Sequence, residues 1–263
     1  MSLKVGFFDS GVGGLTVAKA VSDALPEIDL VYFGDTAHFP YGNKSKDAIG
    51  FFALKITRFL IDKGCRIIVI ACNSASAAAY SDLKIFFERE GIVVINVVDP
   101  LVSYIVKKGY KKVGLIATDV TVSSGIYERK LKEGNPLVSV ESLATPLLAP
   151  MIEEGFVSNS ISNAVLDNYL SVDRFEKIET LLLACTHYPL LKKEIQKFWN
   201  NSVDIWDSTD VIVDEITKYL DTTRTKDSIG TREFIVSDKS ESFERATEIF
   251  YGKKIKLEKV AFW

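Results

Sequence analysis

Two short, uniformly apolar runs in this chain each end on a cysteine. Ile67-Ile-Val-Ile leads into Ala71-Cys72-Asn-Ser, and Leu181-Leu-Leu-Ala leads into Cys185-Thr-His187. An apolar run without polar alternation reads as a strand buried on both faces, the environment of a parallel sheet covered by helices. In open α/β sheets, ligands bind beyond the carboxyl ends of the strands. Each cysteine therefore falls where a ligand would sit. Two halves of the chain facing one another would present one thiol from each side of a cleft. That pairing suits a reaction that removes a proton from one face of a substrate and returns one to the other.

The rest of the sequence builds the same frame. Lys4–Asp9, Asp29–Asp35, Arg66–Asn73 and Val93–Val98 read as strands, separated by helical stretches at Leu15–Leu25, Ser45–Lys63 and Ser76–Glu90. Strands alternating with helices predict βαβ units in a mostly parallel sheet. After Asp99-Pro100 the pattern restarts. It gives a helix over Leu101–Lys108, a strand over Lys112–Thr118, a helix over Val122–Glu133 and a strand over Val138–Leu143. A helix over Ile161–Leu170 and the strand Thr180–Ala184 follow. Lys4-Val-Gly-Phe-Phe-Asp-Ser aligns without a gap on Lys112-Val-Gly-Leu-Ile-Ala-Thr, an approximate internal duplication. The remainder holds a helix over Asp210–Leu220, a strand over Glu233–Ser237, another helix and a strand over Lys254–Val260. The expectation is two similar α/β lobes with the cleft between them. Residues 1–97 and 207–263 form the first lobe and 98–206 the second, with crossings near Val98 and Trp206. No low-complexity linker intervenes, so the interface between lobes should be substantial.

Charge and cysteine usage narrow the class. The 263 residues carry 32 basic and 35 acidic side chains, a formal net charge of −3. With no long basic tract, nucleic acid and membrane surfaces are not expected partners. No apolar run approaches the ~18 residues of a membrane helix, and the N-terminus enters a strand without a signal-peptide pattern. Three cysteines make no complete disulfide framework and fit a reducing compartment. A soluble cytoplasmic protein is the expectation.

Asp9-Ser-Gly-Val-Gly-Gly-Leu links the first strand to the first helix, where glycine amides can face a bound anion. Thr16 stands where the dinucleotide fingerprint needs its third glycine, which argues against nicotinamide or flavin dinucleotides. The Asp9 carboxylate would repel an anion, so it suits a cation or a proton. Pro40-Tyr41-Gly42 can offer backbone amides and a phenol to the same cleft. His38 reads as structural, and Cys65 as a small buried hydrophobe. Cys72 precedes a helix N-terminus, which would lower a thiol pKa towards neutrality. His187, two residues after Cys185, suggests ion-pair activation or proton relay. Met151-Ile-Glu153-Glu154-Gly can supply a carboxylate to orient that imidazole. Asp9, Cys72, Cys185 and His187 are also conceivable metal ligands, but C-x-x-C and H-x-x-x-H partners are missing and no metal is expected. A papain-like reading needs one cysteine and one histidine and leaves the second cysteine unexplained.

In order and spacing, this motif set resembles the glutamate racemases of the aspartate/glutamate racemase superfamily. The resemblance rests on Asp9-Ser-Gly-Val-Gly-Gly, Gly34-Asp-Thr with Pro40-Tyr-Gly42, Ala71-Cys-Asn-Ser-Ala-Ser, Thr118 and Thr121, Glu153-Glu-Gly and Cys185-Thr-His-Tyr-Pro. The differently arranged Gly-Gly-Met-Gly opening of aspartate racemases is absent. The resemblance implies two α/β lobes enclosing glutamate, usually a homodimer, and no cofactor. It implies Cys72 and Cys185 as the two acid/base residues, supported by Asp9 and His187, with Glu153 (or Glu154) as the carboxylate near His187. Substrate contacts carry over to Ser10, Pro40, Tyr41, Gly42, Asn73, Ser74, Thr118, Thr121 and Thr186, beside Asp9 and His187. It also implies supply of D-glutamate for peptidoglycan. Some members carry an N-terminal extension associated with activation by a cell-wall precursor. Only eight residues precede Asp9, so no such dependence is expected. Ser74 replaces a usual threonine, Ala117 and Ala184 stand where glycine is common, and His38-Phe39 is less typical. Racemisation of aspartate, a Cys–His amidase and an amino-acid sensor are the competing readings.

Overall fold

The computed structural model describes residues 3–220 and 229–263. The chain begins β1 (Lys4–Asp9), α1 (Leu15–Ala24), β2 (Asp29–Gly34), α2 (Lys46–Asp62), β3 (Ile67–Ile70), α3 (Asn73–Glu88), β4 (Val93–Asn96) and α4 (Val98–Lys108). It continues through β5 (Lys112–Ala117), α5 (Asp119–Ser123), α6 (Ile126–Gly134), β6 (Ser139–Ala144), α7 (Leu148–Glu153), α8 (Ser160–Leu170), β7 (Thr180–Ala184), α9 (Lys192–Phe198) and β8 (Asp204–Asp207). The last elements are α10 (Ile212–Thr217), β9 (Arg232–Val236), α11 (Glu241–Tyr251) and β10 (Glu258–Lys259).

Two parallel sheets result, a six-stranded one in the order β10-β9-β2-β1-β3-β4 and a four-stranded one in the order β6-β5-β7-β8. The α/β class with mostly parallel sheets is as expected. The run β2-β1-β3-β4 has the same order as β6-β5-β7-β8, which matches the internal sequence similarity. In each run the chain leaves the central strand in opposite directions. The switch points therefore lie beyond β1 and β3 in one sheet and beyond β5 and β7 in the other.

The apolar runs are buried on both faces. Along β3, Ile67 and Val69 face one buried cluster while Ile68 and Ile70 face another. Along β7, Leu181 and Leu183 face the first of these clusters, and Leu182 and Ala184 face a third. The cluster holding Ile67 and Val69 thus also holds Leu181 and Leu183, so one core runs through both sheets. Each of these Ile, Val and Leu side chains contributes about 1.5–3 kcal/mol through its burial. Among the described residues, no helix is long and apolar enough to cross a membrane.

Several boundaries differ from expectation, and two differences shape the site. Strand β3 stops at Ile70, and α3 starts at Asn73 rather than Ser76, so Cys72 is the residue that caps α3. Helix α4 starts before Pro100, because a proline in a first turn needs no N–H. The Asn96 side chain accepts from the Val98 and Asp99 amides, both at 2.7 Å. The single helix expected over Val122–Glu133 is two, α5 and α6, parted at Gly125 with φ +61°. The last strand is only Glu258–Lys259. Helices α7 and α9 and strand β8 were not expected. Pro150 masks α7, and charged ends hide β8.

Candidate active site

Cys72 and Cys185, beyond β3 and β7, line one cavity of about 190 Å3 between the sheets. Ser10, Pro40, Tyr41, Gly42, Asn73, Ser74, Thr118, Thr186 and His187 line it with them. Asp9, Thr121 and Glu153 stand behind this lining and reach it through hydrogen bonds. Phe39, Asn43, Asp119, Pro146, Ala149 and Pro150 also line it. Sequence reasoning assigned none of these to the site, because they come from turns and helix starts with no chemical signature of their own.

The Cys185 side is built around an imidazole. His187 is 3% exposed, with Nδ1 3.7 Å from the Cys185 sulfur and Nε2 2.8 Å from Glu153 Oε1. Glu153, at the end of α7, is therefore the carboxylate that orients the ring. Burial disfavours the imidazolium, but the hydrogen bonds and charges of Cys185 and Glu153 outweigh it and lift the His187 pKa from 6.5 to about 10. The Phe250 ring packs edge-on at 4.9 Å between centroids. Gly13 comes so close that an added Cβ would lie 2.3 Å from His187 Cε1. That contact gives Gly13 a role other than the expected one of facing an anion.

The Cys72 side is equally buried and carries the Asp9 carboxyl beside the thiol. The Cys72 sulfur accepts from the Ala75 amide at 3.5 Å and lies 3.8 Å from Ser10 Oγ. The helix N-terminus does not bring this thiol towards neutrality, contrary to expectation. Burial, then the nearby Asp9 carboxylate, push it up to about 12, and the Ala75 and Ser10 hydrogen bonds do not compensate. Asp9 is fully buried and accepts from the Gly11 amide at 3.0 Å and from Thr186 Oγ1 at 3.5 Å. Burial raises its pKa against the opposing charge of His187 and the Gly11 and Gly14 amides.

The phenol of Tyr41 is not offered to the cleft as expected. Its hydroxyl donates to buried Asp35 at 2.5 Å, which leaves the backbone of Pro40-Tyr41-Gly42 facing the cavity. His38 is structural, stacked on Phe52 at 4.1 Å with Nδ1 3.1 Å from Asp35. Hydrogen bonds also join the two halves of the chain. Ser74 Oγ lies 2.9 Å from Thr118 Oγ1, which donates to Thr121 Oγ1 at 3.1 Å. Thr16 Oγ1 donates to the Thr186 carbonyl at 2.9 Å, and the Tyr127 hydroxyl donates to Asn73 Oδ1 at 2.7 Å. Neither Thr16 nor Tyr127 was foreseen, because their partners lie far away in sequence.

Two parallel sheets enclosing a small cavity with a thiol from each half define a class, and comparison with known proteins gives that class. The family model of Asp/Glu/Hydantoin racemases matches residues 16–216. The chain belongs to this family, whose members are isomerases. The glutamate racemase of Aquifex pyrophilus is 44% identical over 243 residues, covering 92% of this chain and 87% of the relative. That of Aquifex aeolicus (strain VF5) is 39% identical over 254 residues, 96% of each chain. The crystal structure of glutamate racemase from Francisella tularensis subsp. tularensis SCHU S4 in complex with D-glutamate superposes with a TM-score of 0.88. It is 36% identical and covers 99% of this chain and 98% of that one. Within the family, these full-length relatives put the chain among the glutamate racemases.

Proposed function

We propose that the protein interconverts L- and D-glutamate with two cysteines, one removing the α-proton and the other delivering its own proton to the opposite face, without a cofactor. The observation that carries this reading is the placement of Cys72 and Cys185. They come from opposite halves of a duplicated frame, yet line one cavity. With L-glutamate bound, the Cys185 thiolate takes the α-proton and becomes a thiol. The Cys72 thiol gives its proton to the opposite face of the α-carbon and becomes a thiolate. The product is D-glutamate, and the reverse reaction exchanges the roles. The His187 imidazolium, held by Glu153, stabilises the Cys185 thiolate. Buried Asp9 keeps Cys72 protonated until a carbanion needs its proton.

The α-proton is a weak acid, so the developing charge must be met by donors already in place. The cavity offers the start of α3 at Asn73, the turn at Gly42 and the hydroxyls of Ser10, Ser74, Thr118 and Thr186. These groups would hold the two carboxylates, and closure of the lobes (residues 1–97 with 207–263, against 98–206) would keep water from the carbanion. The biological setting that fits is a cytoplasmic homodimer supplying D-glutamate for peptidoglycan.

The test is incubation of purified protein with L-glutamate in D2O, following α-deuterium by NMR and optical activity by circular dichroism. Exchange with loss of optical activity supports the reading, and no exchange refutes it. Cys72→Ala and Cys185→Ala should each abolish racemisation and leave the far-UV spectrum unchanged. Full turnover by either variant would refute the two-cysteine scheme.

A further inference from the structure

We propose that Tyr127 is a positioning residue that sets which end of the Asn73 carboxamide faces the substrate. It would hold the oxygen of that amide so that the NH2 group points at a substrate carboxylate. The inference rests on the racemase reading above and concerns how this chain selects a carboxylate.

Asn73 follows Cys72, opens α3 and lines the cavity, yet it is 3% exposed. Its Oδ1 accepts from Tyr127, and its buried Nδ2 has no partner among the described residues. A buried amide N–H without a partner is uncommon and calls for an acceptor that arrives later. Here the arriving acceptor is a carboxylate.

The two ends of a carboxamide are nearly equal in size, so packing alone does not choose between them. One end attracts a carboxylate and the other repels it. The choice falls to whatever meets the far end of the group. Tyr127 is 1% exposed, and among the described residues its hydroxyl makes no hydrogen bond except the one to Asn73. Its proton needs an acceptor, and among the described residues the amide oxygen takes it. A reversed amide would set N–H against O–H and turn its oxygen on the ligand. Burial raises the Tyr127 pKa far above its ordinary value, so the group remains a donor throughout the working pH range.

Tyr127 lies on α6, in the half of the chain that carries Cys185, whereas Asn73 lies in the half that carries Cys72. The amide is therefore aimed only while the two halves are in contact. Ser74 and Thr118, joined at 2.9 Å, make a second link across the same boundary.

A double-mutant cycle tests the idea on the full chain, with L-glutamate and initial rates read by circular dichroism. Tyr127→Phe keeps the ring and should lower kcat/KM about 5–10-fold, the loss of one positional hydrogen bond. In an Asn73→Ala background the same change should cost less than about 2-fold, because no amide remains to be aimed. Asn73→Asp keeps an acceptor for Tyr127 but has no N–H, and should lose at least as much as Asn73→Ala. Equal losses from Tyr127→Phe in both backgrounds would reduce Tyr127 to packing and overturn the proposal. So would an unaffected Tyr127→Phe or an active Asn73→Asp. A parent protein that leaves the α-proton of glutamate unexchanged would instead refute the racemase reading, so the two failures are distinguishable.

Discussion

Gly13→Ala adds one methyl group at the point where the glycine turn meets the imidazole. The new Cβ would lie 2.3 Å from His187 Cε1, 2.5 Å from Nδ1 and 2.7 Å from Thr186 Oγ1. Non-bonded carbons rest at about 3.5–4.0 Å, so ring and turn must separate by roughly 1.2 Å or more. The ring has little room to retreat, since Glu153 holds Nε2 at 2.8 Å and Phe250 packs edge-on at 4.9 Å. Overpacking of this kind costs about 1–3 kcal/mol of stability. A misplacement of about 1 Å in a reacting group costs roughly 100-fold in rate. The expected result is a folded protein, melting a few degrees lower, whose kcat for L-glutamate falls by about two orders of magnitude. Gly50→Ala is the control, because nothing lies within 4 Å of a Cβ there. In the second turn of α2 it should stabilise the fold by about 0.5–1 kcal/mol without touching turnover. If folded Gly13→Ala keeps kcat within a few-fold of the parent, the close approach does not hold His187 in place.

Glu153→Gln removes the charge partner of His187, whose pKa stands near 10, above its ordinary 6.5. A raised pKa means that the linked stabilisation is complete below about pH 6.5 and is lost as pH rises through about 10. The alkaline limb of kcat/KM for L-glutamate should therefore move down by about one pH unit in the variant. The substrate amino group titrates alike in both proteins, so superimposable profiles would exclude this role for Glu153. Asp35→Ala strips the acceptor from the Tyr41 hydroxyl at 2.5 Å, the Ser237 hydroxyl at 2.8 Å and the Trp263 indole at 2.9 Å. Urea denaturation should show a loss of about 3–5 kcal/mol, and a loss below about 1 kcal/mol would mean that these donors find other partners.

What the sequence disclosed follows from the physics that is local along a chain. Uniform apolar runs such as Ile67–Ile70 and Leu181–Ala184 reveal parallel strands, because burial on both faces leaves no room for polar alternation. Cys72 and Cys185 were legible because they sit directly after such runs. Contacts between distant segments were not. Asp35 as the anchor of Tyr41, Tyr127 as the partner of Asn73 and the approach of Gly13 to His187 have no neighbouring signal. The pKa of Cys72 was misread for the same reason. A helix N-terminus can be seen in sequence, but the dry surroundings and the facing Asp9 that outweigh it cannot.

The frame is duplicated, but the chemistry on it is not. Phe8 pairs with Ile70 as Ile116 pairs with Leu183, so Cys72 and Cys185 occupy equivalent places beyond their strands. Continuing the register sets Asp9 against Ala117 and Ser74 against His187. One half thus carries a buried carboxyl beside its thiol and the other an imidazole beside its thiol. A carboxylate opposes ionisation of a neighbouring thiol, whereas an imidazolium favours it. Racemisation by two bases requires one thiolate and one thiol at any moment. A symmetric site would leave open which is which, and would populate unproductive forms with two thiols or two thiolates. On the proposed mechanism, the unlike partners settle that choice before substrate arrives: Cys72 is kept as the thiol, and Cys185 faces the cation. The ligand-free site is then poised to take L-glutamate. For D-glutamate the roles reverse, and the burial and Asp9 carboxylate that raise the Cys72 pKa oppose formation of its thiolate.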